Sequence, residues 1–124
     1  MLNLDTKIVK NFVIRIFFAN FAGKITIKML KFISFGSGSS GNSYYLYTET
    51  DSLLIDVGVG IRTLKKHFHN YGLRFEDVHH ILITHDHADH VKSVGSLSTD
   101  YHLPVYATRK VHVGIERNYC VRKK

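Results

Sequence analysis

Residues 84–90 read Thr-His-Asp-His-Ala-Asp-His. Three imidazoles and two carboxylates stand within the six residues from His85 to His90. Nitrogen and oxygen donors of this kind suit borderline and hard divalent cations such as zinc, manganese and iron. The spacing adds direction. His85 and His87 are two residues apart, so on an extended segment both rings project to one side and can share an ion. Asp89 and His90 follow Ala88, where a small side chain allows a bend toward a neighbouring site. Taken singly, each residue also suits a solvated loop, and Asp86 or Asp89 could cap a following helix. Together, directly after an apolar strand, they point to a metal-binding loop.

Two earlier segments could serve the same chemistry. Residues 54–58, Leu-Ile-Asp-Val-Gly, put the acid Asp56 at the end of an apolar strand. Residues 36–42, Gly-Ser-Gly-Ser-Ser-Gly-Asn, must form a loop, because glycines and small hydroxyl residues favour backbone angles that no regular ladder uses. Its amides could form a concave nest for substrate phosphates, with Ser39, Gly41 and Asn42 as the candidate contacts; a plain hairpin connection is the alternative. Ser39, Ser40 and Ser43 lack a recognisable partner base and are poor nucleophile candidates. The alternative for Asp56 is a turn former at a strand end.

The elements around these segments follow from periodicity. Residues 30–35, 43–48, 52–56, 78–84 and 104–107 read as strands, the first three as an antiparallel meander. Ile61, Leu64, Phe68 and Tyr71 recur at helical spacing over 60–71, and Gly72 is a natural stop. Residues 91–101 and 108–117 read as further helices, the last capped by Thr108. A strand meander followed by alternating strands and helices predicts an α/β layered fold, a mixed sheet with helices on one face. His67, His69, His79, His80, His102 and His112 lie on or beside these elements and are read as structural, and the tyrosines and phenylalanines as core or sheet surface.

Composition narrows the class. The chain has 124 residues, enough for one domain, and 44% are hydrophobic. Its single cysteine, Cys120, excludes an internal disulfide and a zinc-finger pattern and suits a cytoplasmic setting. The formal charge is +7, and residues 1–29 carry five bases against one acid, while residues 30–124 carry twelve against nine. A basic balance suits a phosphate-bearing partner. The most apolar run, residues 12–22, is about half of the ~20 residues needed to span a bilayer, and Arg15 interrupts it. With Lys7 and Lys10 before it, the run imitates a signal peptide, but Ala22-Gly23 is a poor cleavage site. No membrane partner is expected. Residues 1–28 lack the pattern of the rest and are read as an N-terminal extension ahead of Met29; the alternative is a strand in which Ile25, Ile27 and Met29 alternate with polar neighbours. The tail, residues 121–124, reads as disordered.

The motif at residues 84–90 resembles the T-H-x-H-x-D-H signature of the metallo-β-lactamase superfamily, and Asp56 resembles its earlier strand-end acid. The Gly/Ser segment, residues 34–45, is similar to the YycJ/WalJ (VicX-like) branch, which resembles DNA exonucleases and RNA-processing relatives. The resemblance covers residues 30–118. It implies an αββα four-layer sandwich of two similar halves, of which residues 29–124 match the first. It also implies two divalent metal ions, zinc or manganese: His85 and His87 on the first, Asp89 and His90 on the second, and Asp56 supporting from behind. Asp89 would orient a shared hydroxide that attacks phosphorus in line. The implied substrate is nucleic acid, DNA before RNA.

The family takes a further histidine for each metal and a bridging aspartate from positions beyond residue 124. Two ligands per metal make a weak chelate. The chain is therefore expected to be inactive or nearly so by itself. The competing readings are a thioester or lactam hydrolase on the same metal core, and a non-catalytic remnant of an interrupted gene.

Overall fold

The computed structural model describes residues 11–19 and 25–118. Six strands, β1 (Asn11–Ala19), β2 (Ile25–Gly36), β3 (Ser43–Tyr47), β4 (Ser52–Val57), β5 (His80–Leu82) and β6 (Val105–Tyr106), lie side by side in chain order. The first four are antiparallel; β4, β5 and β6 are mutually parallel. Four helices, α1 (Ile61–Asn70), α2 (Ala88–Val91), α3 (Val94–Asp100) and α4 (Arg109–Arg117), occupy the crossovers and the end of the described chain. The meander and the alternating second part are those the periodicity predicts.

The strand pattern has a direct packing consequence. Ile33 and Phe35 of β2, Tyr45 of β3, Leu54 of β4 and Ile81 of β5 join one buried cluster with Leu64 and Phe68 of α1, Leu97 of α3 and Ile115 of α4. Phe68 sits at its centre, with ring centroids 4.7 Å from Tyr45, 5.1 Å from Phe35 and 5.1 Å from Phe75. A buried aromatic of this kind contributes about 1.5–3 kcal/mol from area alone. Phe32, Tyr44, Leu46, Leu53, Ile55 and Leu82 alternate with that set and are half-buried. His67 stacks on Phe35 at 5.4 Å, in keeping with its structural reading.

Three boundaries differ from expectation. Strand β2 begins at Ile25 rather than residue 30 and pairs with β1 along its length, so the backbone takes the strand alternative for 25–29. The strand expected over 78–84 is only His80–Leu82. The helix expected over 91–101 is split and starts earlier, because Ser93 interrupts it: its amide donates to the Val57 carbonyl at 2.9 Å and its hydroxyl to the Val59 carbonyl at 2.5 Å. Thr108 caps α4 as predicted, accepting from the Val111 amide at 3.3 Å. The tail at 121–124 and Cys120 lie outside the described residues.

Candidate metal centre

Three segments meet at one end of the sheet: the Gly/Ser loop after β2, the end of β4, and the histidine loop after β5. The local cause at β4 is a bulge. Pairing passes from Ser43 opposite Val57 to Tyr44 opposite Ile55, leaving Asp56 without a cross-strand partner. Its φ is 59°, a left-handed conformation that aspartate tolerates better than most side chains. Such bulges redirect a side chain. The Asp56 carboxylate, 2% exposed, is aimed into the histidine loop rather than along the sheet.

It makes three hydrogen bonds there. Oδ1 accepts from the Thr84 amide at 2.8 Å; Oδ2 accepts from the Thr84 hydroxyl at 2.6 Å and faces His90 Nδ1 at 2.8 Å. Proton accounting then assigns the rings. A carboxylate only accepts, so His90 donates from Nδ1, and in the neutral ring the lone pair then lies on Nε2. The Thr84 proton points at Asp56, so the Thr84 oxygen accepts from His85 Nδ1 at 2.9 Å, and His85 also keeps its lone pair on Nε2. One buried carboxylate thus sets the tautomer of two histidines, one directly and one through a hydroxyl.

The third segment fixes the acid. Asn42, 9% exposed, donates from Nδ2 to the Gly38 carbonyl at 2.9 Å and reaches Asp89 at both its carbonyl and Oδ2, each 3.2 Å away. Its Oδ1 accepts from the Gly38 amide at 3.1 Å, and its own amide donates to the Asp89 carbonyl at 2.8 Å. Two glycines permit this closeness. A Cβ on Gly58 would lie 1.7 Å from the Asp89 carbonyl oxygen, and one on Gly114 of α4 would lie 1.8 Å from Asp86 Oδ2. Asn118, just after α4, donates to the Asp86 carbonyl at 2.8 Å.

The expected ligands are therefore close together. His85 and His90 ring centroids are 4.7 Å apart, His85 and His87 6.1 Å, and Asp89 Oδ2 lies 3.9 Å from His90 Nε2. His87 is largely exposed. Of the residues expected at the substrate, Ser39 is exposed on the Gly/Ser loop, whereas Gly41 and Asn42 are buried against the β4 end and the histidine loop. The donor types and the fixed Nε2 lone pairs fit divalent cations. Among the described residues, though, no three histidine, cysteine or acidic side chains are grouped so as to hold an ion.

Comparison with known proteins agrees with this architecture. Residues 30–120 match the model of the family described as anti-Pycsar protein Apyc1. The chain belongs to that family. It is also 40% identical over 87 residues to the exodeoxyribonuclease YycJ of Bacillus anthracis, covering 70% of this chain and 33% of that protein. Against the exodeoxyribonuclease WalJ of Streptococcus pneumoniae it is 38% identical over 93 residues, covering 75% of this chain and 35% of that protein. Among solved structures, a metallo-β-lactamase with a HARLDQ motif from Cronobacter sakazakii superposes with a TM-score of 0.58 at 19% identity, covering 71% of this chain and 35% of that one. The fold is the metallo-β-lactamase fold, and the likeness to YycJ and WalJ is the one the two motifs imply. This family member spans about a third of the length of the curated relatives it matches.

Sequence reasoning singled out His85, His87, Asp89, His90 and Asp56, and the fold brings all five to one end of the sheet. It missed the parts played by Thr84, Gly58, Gly114 and Asn118. A glycine two residues after a strand-end acid was a usable signal for Gly58, since it marks close backbone approach. Nothing local marks Gly114 or Asn118.

Proposed function

We propose that residues 84–90, with Asp56 behind them, form half of the metal centre of a phosphodiester hydrolase whose substrate is DNA. The observation that carries this reading is the bonding of Asp56 to His90 directly and to His85 through Thr84. It leaves the Nε2 lone-pair side of both imidazoles at one loop, that of His90 3.5 Å from Asn42 Nδ2, an arrangement that suits a metal site. His85 and His87 would hold one ion and Asp89 and His90 a second, zinc or manganese. Such ions, when bound, supply Lewis acidity that makes water a nucleophile near neutral pH. Asp89, held by Asn42, orients the attacking group; Ser39, on the exposed loop, is the candidate substrate contact. The names of the curated relatives favour DNA. A lactam or thioester substrate has weaker support, because likeness at 19% identity speaks to the fold alone.

With two donors per ion, the chain alone should hold metal weakly and turn over little. Calorimetric titration with manganese and zinc, followed by assays on labelled DNA, RNA, a chromogenic lactam and a thioester, tests this. Tight binding of two ions with turnover would overturn the half-centre. Lactam or thioester cleavage without DNA cleavage would overturn the substrate. The absence of any metal affinity, with the fold intact by circular dichroism, would overturn the metal reading itself.

A further inference from the structure

Beside the histidine loop runs an open groove of about 660 Å³, with Asp86, His87 and Ala88 on one wall and α4 on the other. The α4 wall has a regular composition. Lys110, Val113, Gly114 and Arg117 all line the groove, and steps of three, four and seven residues put them on one helix face. Lys110 and Arg117 are two turns apart, roughly 10 Å along the axis. Both are exposed, and no acid forms an ion pair with either among the described residues. Between the two cations lie an apolar side chain, Val113, 41% exposed, and a glycine. Gly114 lets the loop sit directly on the helix, so the groove floor is continuous with the residues that carry His85 and His87.

We propose that this groove binds the sugar-phosphate backbone of single-stranded DNA, with Lys110 and Arg117 each meeting a phosphate and Val113 packing on the sugar or base between them. The inference rests on the phosphodiesterase reading for its substrate class and adds where the strand lies. The physical argument is charge complementarity. Two exposed cations flank an apolar step, which suits a chain that alternates charged linkages with flat apolar groups. The volume falls in the range of small-ligand clefts, about 300–1,000 Å³, which accommodates one or two nucleotides and not a duplex. The Asp86 carboxylate rests against Gly114, between the two cations, so it repels phosphates from the middle of the groove and leaves the flanking Lys110 and Arg117 positions preferred.

Binding can be read without chemistry. Fluorescence anisotropy of a labelled oligothymidylate of about ten nucleotides, titrated with the chain in EDTA, separates strand binding from any metal-dependent step. The double variant K110Q/R117Q is compared with R62Q/K66Q, an equal loss of charge on exposed α1 residues. At about 0.1 M salt K110Q/R117Q should lose roughly tenfold or more in affinity, and its salt slope should fall by about 1.4, two phosphate contacts' worth for a single strand. R62Q/K66Q should lose little and keep its slope. Equal losses in the two doubles would mean the chain's net charge alone binds DNA and would overturn the groove. So would no binding by the unaltered chain, or no loss in K110Q/R117Q. Tighter binding of an oligouridylate of equal length would overturn the choice of DNA. Circular dichroism on each variant shows whether the fold is retained; should K110Q/R117Q unfold, V113D, which puts a carboxylate in the same groove, must weaken binding for the proposal to stand. Failure of binding with metal affinity intact sinks the groove alone, whereas binding in EDTA by a folded chain that shows no calorimetric affinity for manganese or zinc sinks the metal-centre reading alone.

Discussion

The two ends of β4 each carry a buried polar side chain, and they use it differently. At the amino end, the Ser52 hydroxyl donates to the Asp77 carbonyl at 2.5 Å and accepts from the His79 amide at 2.8 Å. These two partners are backbone groups, a further bond runs to the Tyr45 phenol, and the backbone pair docks the segment that leads into β5. At the carboxyl end, Asp56 accepts from one backbone amide and also directs the side chains of Thr84 and His90. Ser52 sits in regular register opposite Tyr47, while Asp56 occupies a bulge with a left-handed backbone. One end docks the main chain; the other tolerates an irregular backbone to orient the side chains of the histidine loop. Irregularity of that sort persists where the surroundings over-determine it, as the glycine contact at Gly58 and the Asn42 bonds do here.

The difference can be broken by substitution. The largest effect is expected from Gly58→Ala, because the new Cβ would meet the Asp89 backbone, which cannot swing aside as a side chain can. Urea unfolding should show a loss of about 3 kcal/mol or more; an unchanged midpoint would mean the loop does not pack on β4. Asp56→Asn keeps size and tolerance of the left-handed backbone but removes the carboxylate. Manganese affinity should fall about 10–100-fold, with a stability loss of about 1–3 kcal/mol. Ser52→Ala should cost a similar 1–3 kcal/mol and leave manganese affinity unchanged. A metal effect from Ser52→Ala as large as that from Asp56→Asn would erase the distinction between the two ends.

A smaller effect belongs to the amino end alone. Burial pushes the Tyr45 phenol above its ordinary 10.0 against the opposing hydrogen bond to Ser52, with smaller help from Asp77 and Tyr47, and burial does the same to Tyr47. The unfolded chain then releases these protons at lower pH than the folded one. Stability is fully present below pH 10 and falls as pH rises above it toward the folded values. The urea midpoint should decline above pH 10, and less steeply in Tyr45→Phe; equal slopes would remove the tyrosine from the account. The smallest change is Ser43→Ala. The Ser43 hydroxyl is buried without a hydrogen-bond partner among the described residues, so removing it should be neutral or stabilise by up to about 1 kcal/mol, unlike the loss expected at Ser52. A clear loss at Ser43 would mean that its hydroxyl is satisfied in solution.

Much of the fold was legible because it is written locally. Leu64 and Phe68 fall four apart on an apolar helix stripe, and alternation along β3 and β4 names the buried face. Boundaries failed where a distant group intervened. Ser93 looks like any mid-helix serine, and only the carbonyls of Val57 and Val59 make it a break. The Gly/Ser loop was legible as a loop and as a possible phosphate cradle, but not as the clamp on Asp89 that Asn42 makes of it.

The order of residues by itself determined which groups could bind metal, since the donor types and their two- and three-residue spacings lie within one short loop. It also determined that an acid would end the strand before it. Only the tertiary structure decided how those groups are held. The tautomers of His85 and His90 depend on a carboxylate about thirty residues away, and the loop's seat depends on absent side chains at Gly58 and Gly114. Both are contacts across space between segments remote in sequence. Local propensity carries no record of them, and they exist only once the sheet has brought three loops to one end.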